Sequence, residues 1–173
     1  MPRTSLQDVR SVGDPLQQYN WDLFIPRLPG GGNSKEFTFK AMTTSIPGML
    51  LESVPVPLHG VELRFAGRKN YSHALPVTIL ETSNISTRDL FVAWNELARS
   101  WLGNTGTPKS IYGTNIILTL YDDTPAERKI ITLVGAWPET VDDAALDGGA
   151  SGIVSYSVTF SYDYPIDGVA VPG

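Results

Sequence analysis

At 173 residues the chain is long enough for one domain with a substantial core, which at this size buries roughly 70% of the unfolded surface. The absence of cysteine excludes disulfides, thiol nucleophiles and cysteine metal centres. Eighteen acidic residues against thirteen basic ones leave a net charge of -5, which argues against a grip on nucleic acid through phosphate neutralisation.

In chain order, "MPRTSLQDVRSVGDPLQQY" carries no apolar h-region, and no later apolar run is long enough to span a bilayer. The expectation is an unexported, soluble chain without a membrane anchor, so the "NIS" sequon at Asn84 is a chance match. Residues 1–18 read as an N-terminal arm, and 1–173 as a single domain without repeats or linkers.

Sixteen glycines, thirteen prolines and several alternating segments predict a mainly β fold. The predicted strands cover 19–25, 37–43, 77–81, 115–121, 129–134 and 153–162. "PGGGNS" at 29–34 is a loop between the first two, and Asp122-Asp123 before Thr124-Pro125 is a turn.

Residues 45–72 read as a long loop and hairpin arm. "VPVPLHGVELRFAG" folds on paper about His59-Gly60, so that Leu58 faces Val61, Val56 faces Leu63 and Val54 faces Phe65, all on one side. Pro55 and Pro57 donate nothing to a ladder, which places this strand at an edge. An apolar face the core does not require reads as an interaction surface, with an extra piece of the monomer's own sheet as the other reading. Glu62, Arg64, Arg68 and Lys69 are candidates for intersubunit ion pairs, which set register and partner choice.

One long helix is predicted over 86–102. Ser86 or Thr87 caps it, Asp89 suits the positive end of its dipole, and Gly103 stops it. Leu90, Phe91, Trp94, Leu97, Ala98 and Trp101 recur at helical spacing and form the buried face. Arg88, Asn95, Glu96 and Arg99 are assigned outward.

The last long strand, "SGIVSYSVTFSYDY", has two unlike faces. Val154, Tyr156, Val158, Phe160 and Tyr162 make a core face; Ser155, Ser157, Thr159, Ser161 and Asp163 make a short, wet, uncharged one ending in an acid. By itself that second face fits plain solvated surface as well as any special role.

No motif carries chemistry. "GASGI" at 149–153 has Ile153 where a nucleophile elbow needs glycine. "GGGNSK" and "DGGASG" lack the ending of a phosphate loop. The two histidines, His59 and His73, lack the spacing of a metal pair, and Asp142, Asp143 and Asp147 lack the alternation of a calcium loop. The expectation is a protein without cofactor or metal that is not an enzyme.

Several stretches together resemble one family. "VGAWPETVDDAALDGGASGIVSYSVTFSYDYP" at 134–165 is similar to the C-terminal signature of the tail tube proteins of contractile-tailed bacteriophages. "NWDLFIP" at 20–26 looks like that family's first strand, and "SIPG" at 45–48 and "FAGRKNYSHALPVTI" at 65–79 are similar to the entry to and return from its long arm. The Gly-rich loop at 30–32 and the tail after Tyr164, assigned as 165–173, depart from it.

The resemblance implies a two-sheet β domain, a sandwich or partial barrel with one flanking helix and a hairpin arm. Such subunits form hexameric rings whose inner sheets join into a closed β-barrel, and rings stack into a tube within a contractile sheath. It implies self-association, a sheath, a baseplate and a tail terminator as partners, and a virion location after assembly in the host cytoplasm. A tape measure protein and genomic DNA pass along the lumen without specific binding. Under that reading Ser155, Ser157, Thr159, Ser161 and Asp163 are lumen-facing candidates, with Asn115, Ile117, Thr119 and Tyr121 as a second choice. Val54, Val56, Leu58, Val61, Glu62, Leu63, Arg64, Phe65, Arg68 and Lys69 are the intersubunit arm candidates; Arg88, Asn95, Glu96 and Arg99 are the sheath-facing ones. The rival readings are a carbohydrate- or protein-binding sandwich using Trp21, Trp94, Trp101 and Trp137, and the tube of a type VI secretion system or a tail-like bacteriocin.

Overall fold

The computed structural model describes residues 16–29, 31–32, 34–123, 126–149 and 151–169. Most of the N-terminal arm and the last residues of the tail, 1–15 and 170–173, lie outside the described residues.

Seven strands form one folded sheet with two leaves that share β7 (Glu127–Val141). Its first half pairs with β6 (Thr114–Tyr121), which pairs with β1 (Trp21–Phe24), and on its other side with β9 (Tyr164–Val169). Its second half pairs with β8 (Ser155–Ser161), followed by β5 (Ala74–Leu80) and β2 (Ala41–Thr44) at the edge. All pairings are antiparallel. Gly135, at φ +65°, marks the turn between the halves, a conformation that costs a residue with Cβ. The monomer is an open sandwich and not a closed barrel.

The core lies between the leaves because alternate residues face inward. Leu23, Ile116, Leu118, Ile131 and Leu133 come from one leaf, and Leu75, Val77, Ile79, Val158 and Phe160 from the other; all are fully or almost fully buried. Helix α2 (Ser86–Ala98) closes one open side with Phe91 and Trp94, whose rings sit 5.7 and 6.1 Å from that of Phe160. The Trp94 indole N–H donates to the Tyr112 carbonyl at 2.6 Å, so the buried ring leaves no polar atom unpaired.

Four elements differ from expectation. Residues 34–40 form a short helix, α1 (Ser34–Lys40), where "EFTFK" alternates like a strand; Phe37 enters the core and Phe39 is exposed. Lys40 fixes it, donating to Thr87 Oγ1 at 2.7 Å and pairing with Glu36 at 2.6 Å. Helix α2 stops at Ala98, and 99–107 fold back through the Arg99–Gly106 bridge and the Thr107 hydroxyl on the Leu97 carbonyl. Trp101 therefore leaves the buried face and is 85% exposed. The first part of the tail is strand β9, held to β7 by backbone pairing and by Lys129–Asp167 at 3.2 Å. A four-residue helix, α3 (Lys109–Tyr112), precedes β6.

Candidate assembly surfaces

The hydroxyl face of β8 is continuous with its neighbours. Tyr156, Val158 and Phe160 are buried on the core side, so Ser155, Ser157, Thr159 and Ser161 stand together on the outer side. Opposite them on β5 lie Leu80, Thr78, Pro76 and Ala74, and Thr43 of β2 lies opposite Thr78. The row Thr43–Thr78–Ser157 thus carries hydroxyls across three strands without a charge. Asp163 stands apart. The strand ends at Ser161, and the Asp163 carboxylate forms an ion pair with Lys109, so it brings no uncompensated charge. In the second-choice strand, Asn115 is exposed, Ile117 and Tyr121 are half-buried and Thr119 is buried.

The arm is a separate two-stranded sheet, β3 (Met49–Leu58) with β4 (Val61–Tyr71). The register is the expected one: Val54 faces Phe65, Val56 faces Leu63 and Leu58 faces Val61. His59 at φ 48° and Gly60 at φ 82° make the left-handed pair that a two-residue hairpin turn requires. Val54, Leu58, Val61, Leu63 and Phe65 are all exposed, as are Met49, Leu50 and Leu51. A lone hairpin of this kind is at best marginally stable in water, so its apolar face calls for a cover. Of its charges, Glu62 and Arg64 already pair with each other at 3.0 Å, and Lys69 lies 5.9 Å from the Tyr71 ring.

The outer face of α2 is smaller than expected. Asn95 turns inward and donates to the Pro138 carbonyl at 2.9 Å, which fastens the helix to the edge of β7. Arg88 is half-buried. Glu96 accepts from the Trp101 N–H at 3.0 Å and Arg99 donates to Asn104 at 3.0 Å; these two stay exposed beside Asp89, Val92 and Ala93.

Neither Ser86 nor Thr87 caps α2. Ile85 occupies the N-cap position at φ 52°, and the Glu81 carboxylate reaches across to accept from the N–H groups of Thr87 and Arg88 at 3.3 and 2.8 Å. It also accepts from the Thr82 N–H at 2.9 Å. Burial alone favours the neutral Glu81 carboxyl, but these donors outweigh it and hold its pKa below the ordinary value of 4.5. Glu81→Gln is expected to lose about 1 kcal/mol of stability at neutral pH, as other capping losses do. A carboxylate with a lowered pKa contributes fully above its unfolded value, and that contribution fades as pH falls through the folded one. Denaturant titrations should therefore show a constant gap between wild type and variant above pH 4.5 that narrows below it.

Beside this cap lies a cleft of about 610 Å³, lined among others by Glu81, Ile85, Arg88, Asp143, Leu146 and Tyr156. Tyr156 is 3% exposed, and its buried hydroxyl lies beside the Glu81 carboxylate. Burial first, and the nearby Glu81 charge second, push its pKa up, so it remains a neutral O–H donor and acceptor.

No family model matches the chain. It is 27% identical over 142 residues to the tail tube protein of Serratia phage KSP90, a match covering 80% of each chain. By sequence, the chain is similar to a phage tail tube protein. Solved structures agree in fold. A chain of the anti-feeding prophage tube-terminating cap matches with a TM-score of 0.66 at 12% identity, covering 91% of this chain and 93% of that one. A chain of the sheath-tube complex of the PVC extracellular contractile injection system, in the extended state, matches with 0.60 at 13% identity, covering 96% and 99%. A chain of the gene transfer agent tail, with C6 symmetry, matches with 0.52 at 12% identity, covering 91% and 100%. The chain thus has the two-leaf β fold with flanking helix and hairpin arm expected from its sequence.

Proposed function

We propose that the chain is the structural, non-catalytic subunit of an inner tail tube: six copies close into a ring, rings stack, and DNA passes through the bore. The observation that carries this is the match to a tail tube protein along most of both chains, together with an arm that pairs with no other strand among the described residues and leaves Val54, Leu58, Val61, Leu63 and Phe65 exposed. Ring closure satisfies the edge of β2, and a repeating head-to-tail contact extends a tube from one kind of subunit.

The leaf β7-β8-β5-β2 lines the bore with the row from Thr43 to Ser157 and the flanking Ser155, Thr159 and Ser161. Short hydroxyls hold water and leave the channel wide. Six copies at -5 each carry -30, which repels phosphate instead of gripping it. The exposed part of α2 around Glu96 and Arg99 faces a contractile sheath, with the baseplate and terminator at the tube ends and the tape measure protein inside. The protein resides in the virion after assembly in the host cytoplasm. A phage tail is preferred over a secretion or bacteriocin tube because the sequence relative is a phage protein. Of the four tryptophans in the sugar-binding alternative, Trp94 is fully buried, Trp21 and Trp137 are half-buried, with Trp137 packed 5.9 Å from the Tyr112 ring, and Trp101 is the one exposed ring, which weakens that reading. Sedimentation of the purified chain over a range of concentrations tests the proposal. Ring-sized and larger species are expected, and an 18.8 kDa monomer at every concentration would count against it.

A further inference from the structure

Resting on the ring reading, we infer that the loop after α2 carries an anchor, Trp101-Leu102, that fills the groove between β1 and β2 of the adjacent copy in the same ring. The loop is built to present these two side chains. The Ser100 N–H donates to the Thr105 carbonyl at 3.0 Å, the Thr107 N–H to the Ala98 carbonyl at 3.3 Å and the Trp101 N–H to the Glu96 carboxylate at 3.0 Å. The Arg99 guanidinium donates to the side chain of Asn104, whose left-handed backbone at φ 46° completes the turn. Trp101 and Leu102 stand 85% and 96% exposed, and neither belongs to the core cluster or packs against it. Two large apolar side chains on a loop already fixed by hydrogen bonds lose little freedom on docking, and tryptophan is enriched among interface anchors.

The groove is the matching receptor. It holds about 390 Å³, within the size range of binding sites, with Leu118 and Leu120 as its floor and Leu16, Trp21, Met42 and Ile46 among its walls. Leu16, Met42 and Ile46 are each more than half exposed, so the groove stands open. An indole packs well on another aromatic ring and on a methionine sulfur, and Asn20 and Thr44 at the groove supply oxygens for its N–H. The flanking strands are the two ends of the sheet: among the described residues β1 pairs with β6 alone and β2 with β5 alone.

Topology commits the groove to a second copy. Asn95 fastens α2 to the Pro138 carbonyl on β7, and β7 forms the edge of the proposed bore-lining leaf opposite to β2. Closing a ring from leaves ordered β7-β8-β5-β2 sets the β2 side of each copy against the β7 side of the next, and with them the groove against the loop. Both features also lie toward one end of the leaf. Pro138 pairs with Phe160, and β2 runs from Ala41, opposite Ile79, to Thr44, opposite Val77. Ile79 and Val77 pair with Tyr156 and Val158, so the chain beyond Thr44 carries Ile46 toward the level of Phe160. The contact is heterologous and closes after one turn of the ring, so each copy buries one anchor and covers one groove.

The cysteine-free chain makes the test direct. Leu102→Cys on the loop and Ile46→Cys on the groove change exposed residues, and Ser83→Cys, near the opposite end of α2, serves as a control. Under mild oxidation of assembled tubes, L102C mixed with I46C should give a linked dimer roughly tenfold faster than S83C with I46C, since docked thiols meet at high effective concentration. The double variant L102C/I46C should give a ladder of linked chains that ends at six, because a contact within the ring closes on itself. Independently, Trp101→Ala should keep the wild-type thermal midpoint while raising the concentration needed for assembly at least about tenfold, as loss of an anchor does. Tubes that form without the L102C–I46C link, or W101A assembling like wild type, would overturn the docking and leave the ring reading intact. A ladder running past six would overturn it by placing the contact between rings. Faster capture of I46C by a cysteine at Val9 would overturn it by assigning the groove to the chain's own N-terminal segment. A chain that forms neither rings nor tubes overturns the ring reading and the docking together.

Discussion

Replacing residues 54–65 by Asn-Gly is expected to leave a folded, monomeric protein that forms neither rings nor tubes. The junction is mild, because Ser53 and Ala66 are already cross-strand partners and a two-residue turn spans that gap. The core loses nothing: none of the deleted residues belongs to the buried cluster that holds Phe91, Trp94 and Phe160. What disappears is most of an apolar surface that water covers in the monomer and a neighbour covers in the assembly. The thermal midpoint and circular dichroism should match wild type, while sedimentation shows monomer alone. Normal polymerisation of this variant would remove the arm from the account.

Introducing Ser157→Lys and Thr159→Lys together is expected to preserve assembly and make the bore hold DNA. Both side chains lie on the outer side of β8, half-buried and outside the core cluster, so folding tolerates them. Two added cations per subunit place twelve in a six-membered ring and move its charge from -30 to -18, concentrated at one level. Each new phosphate contact adds affinity whose logarithm falls with log salt at a slope of about -0.9 per contact on duplex DNA. Wild-type particles should eject DNA quickly at all salt concentrations, and the variant slowly at low salt with recovery at high salt. Ejection at the wild-type rate under both conditions would show that these residues do not face the path.

What the sequence displayed clearly was whatever a single periodicity controls. The two faces of β8 follow from alternation, and the arm register follows from three apolar pairs placed symmetrically about His59-Gly60. The departures occur where tertiary contacts overrule local pattern. In "EFTFK" the alternation of Phe37 and Phe39 looks like a strand, but a buried Lys40 anchored on Thr87, 47 positions away, selects a helix. Leu97, Ala98 and Trp101 continue helical spacing, yet the fold-back of 99–107 takes Trp101 into solvent. The cap of α2 by Glu81 was illegible because Ser86 and Thr87 stand where caps usually do. Strand β9 contains Pro165 and Gly168, residues that weaken a strand reading and are tolerated at a sheet edge. The cleft was invisible for a related reason: its walls come from Glu81, α2, the loop near Asp143 and β8, which only the folded chain brings together.

A cryo-electron microscopy reconstruction of the assembled protein at side-chain resolution tests the central claim most directly. The expected result is a hollow tube of stacked six-membered rings, its bore lined by Thr43, Thr78, Ser157 and Thr159 and its rings bridged by the β3–β4 arm. A bore lined instead by the outer side of β6 at Asn115 and Ile117, or a preparation containing no rings at any concentration, would contradict it.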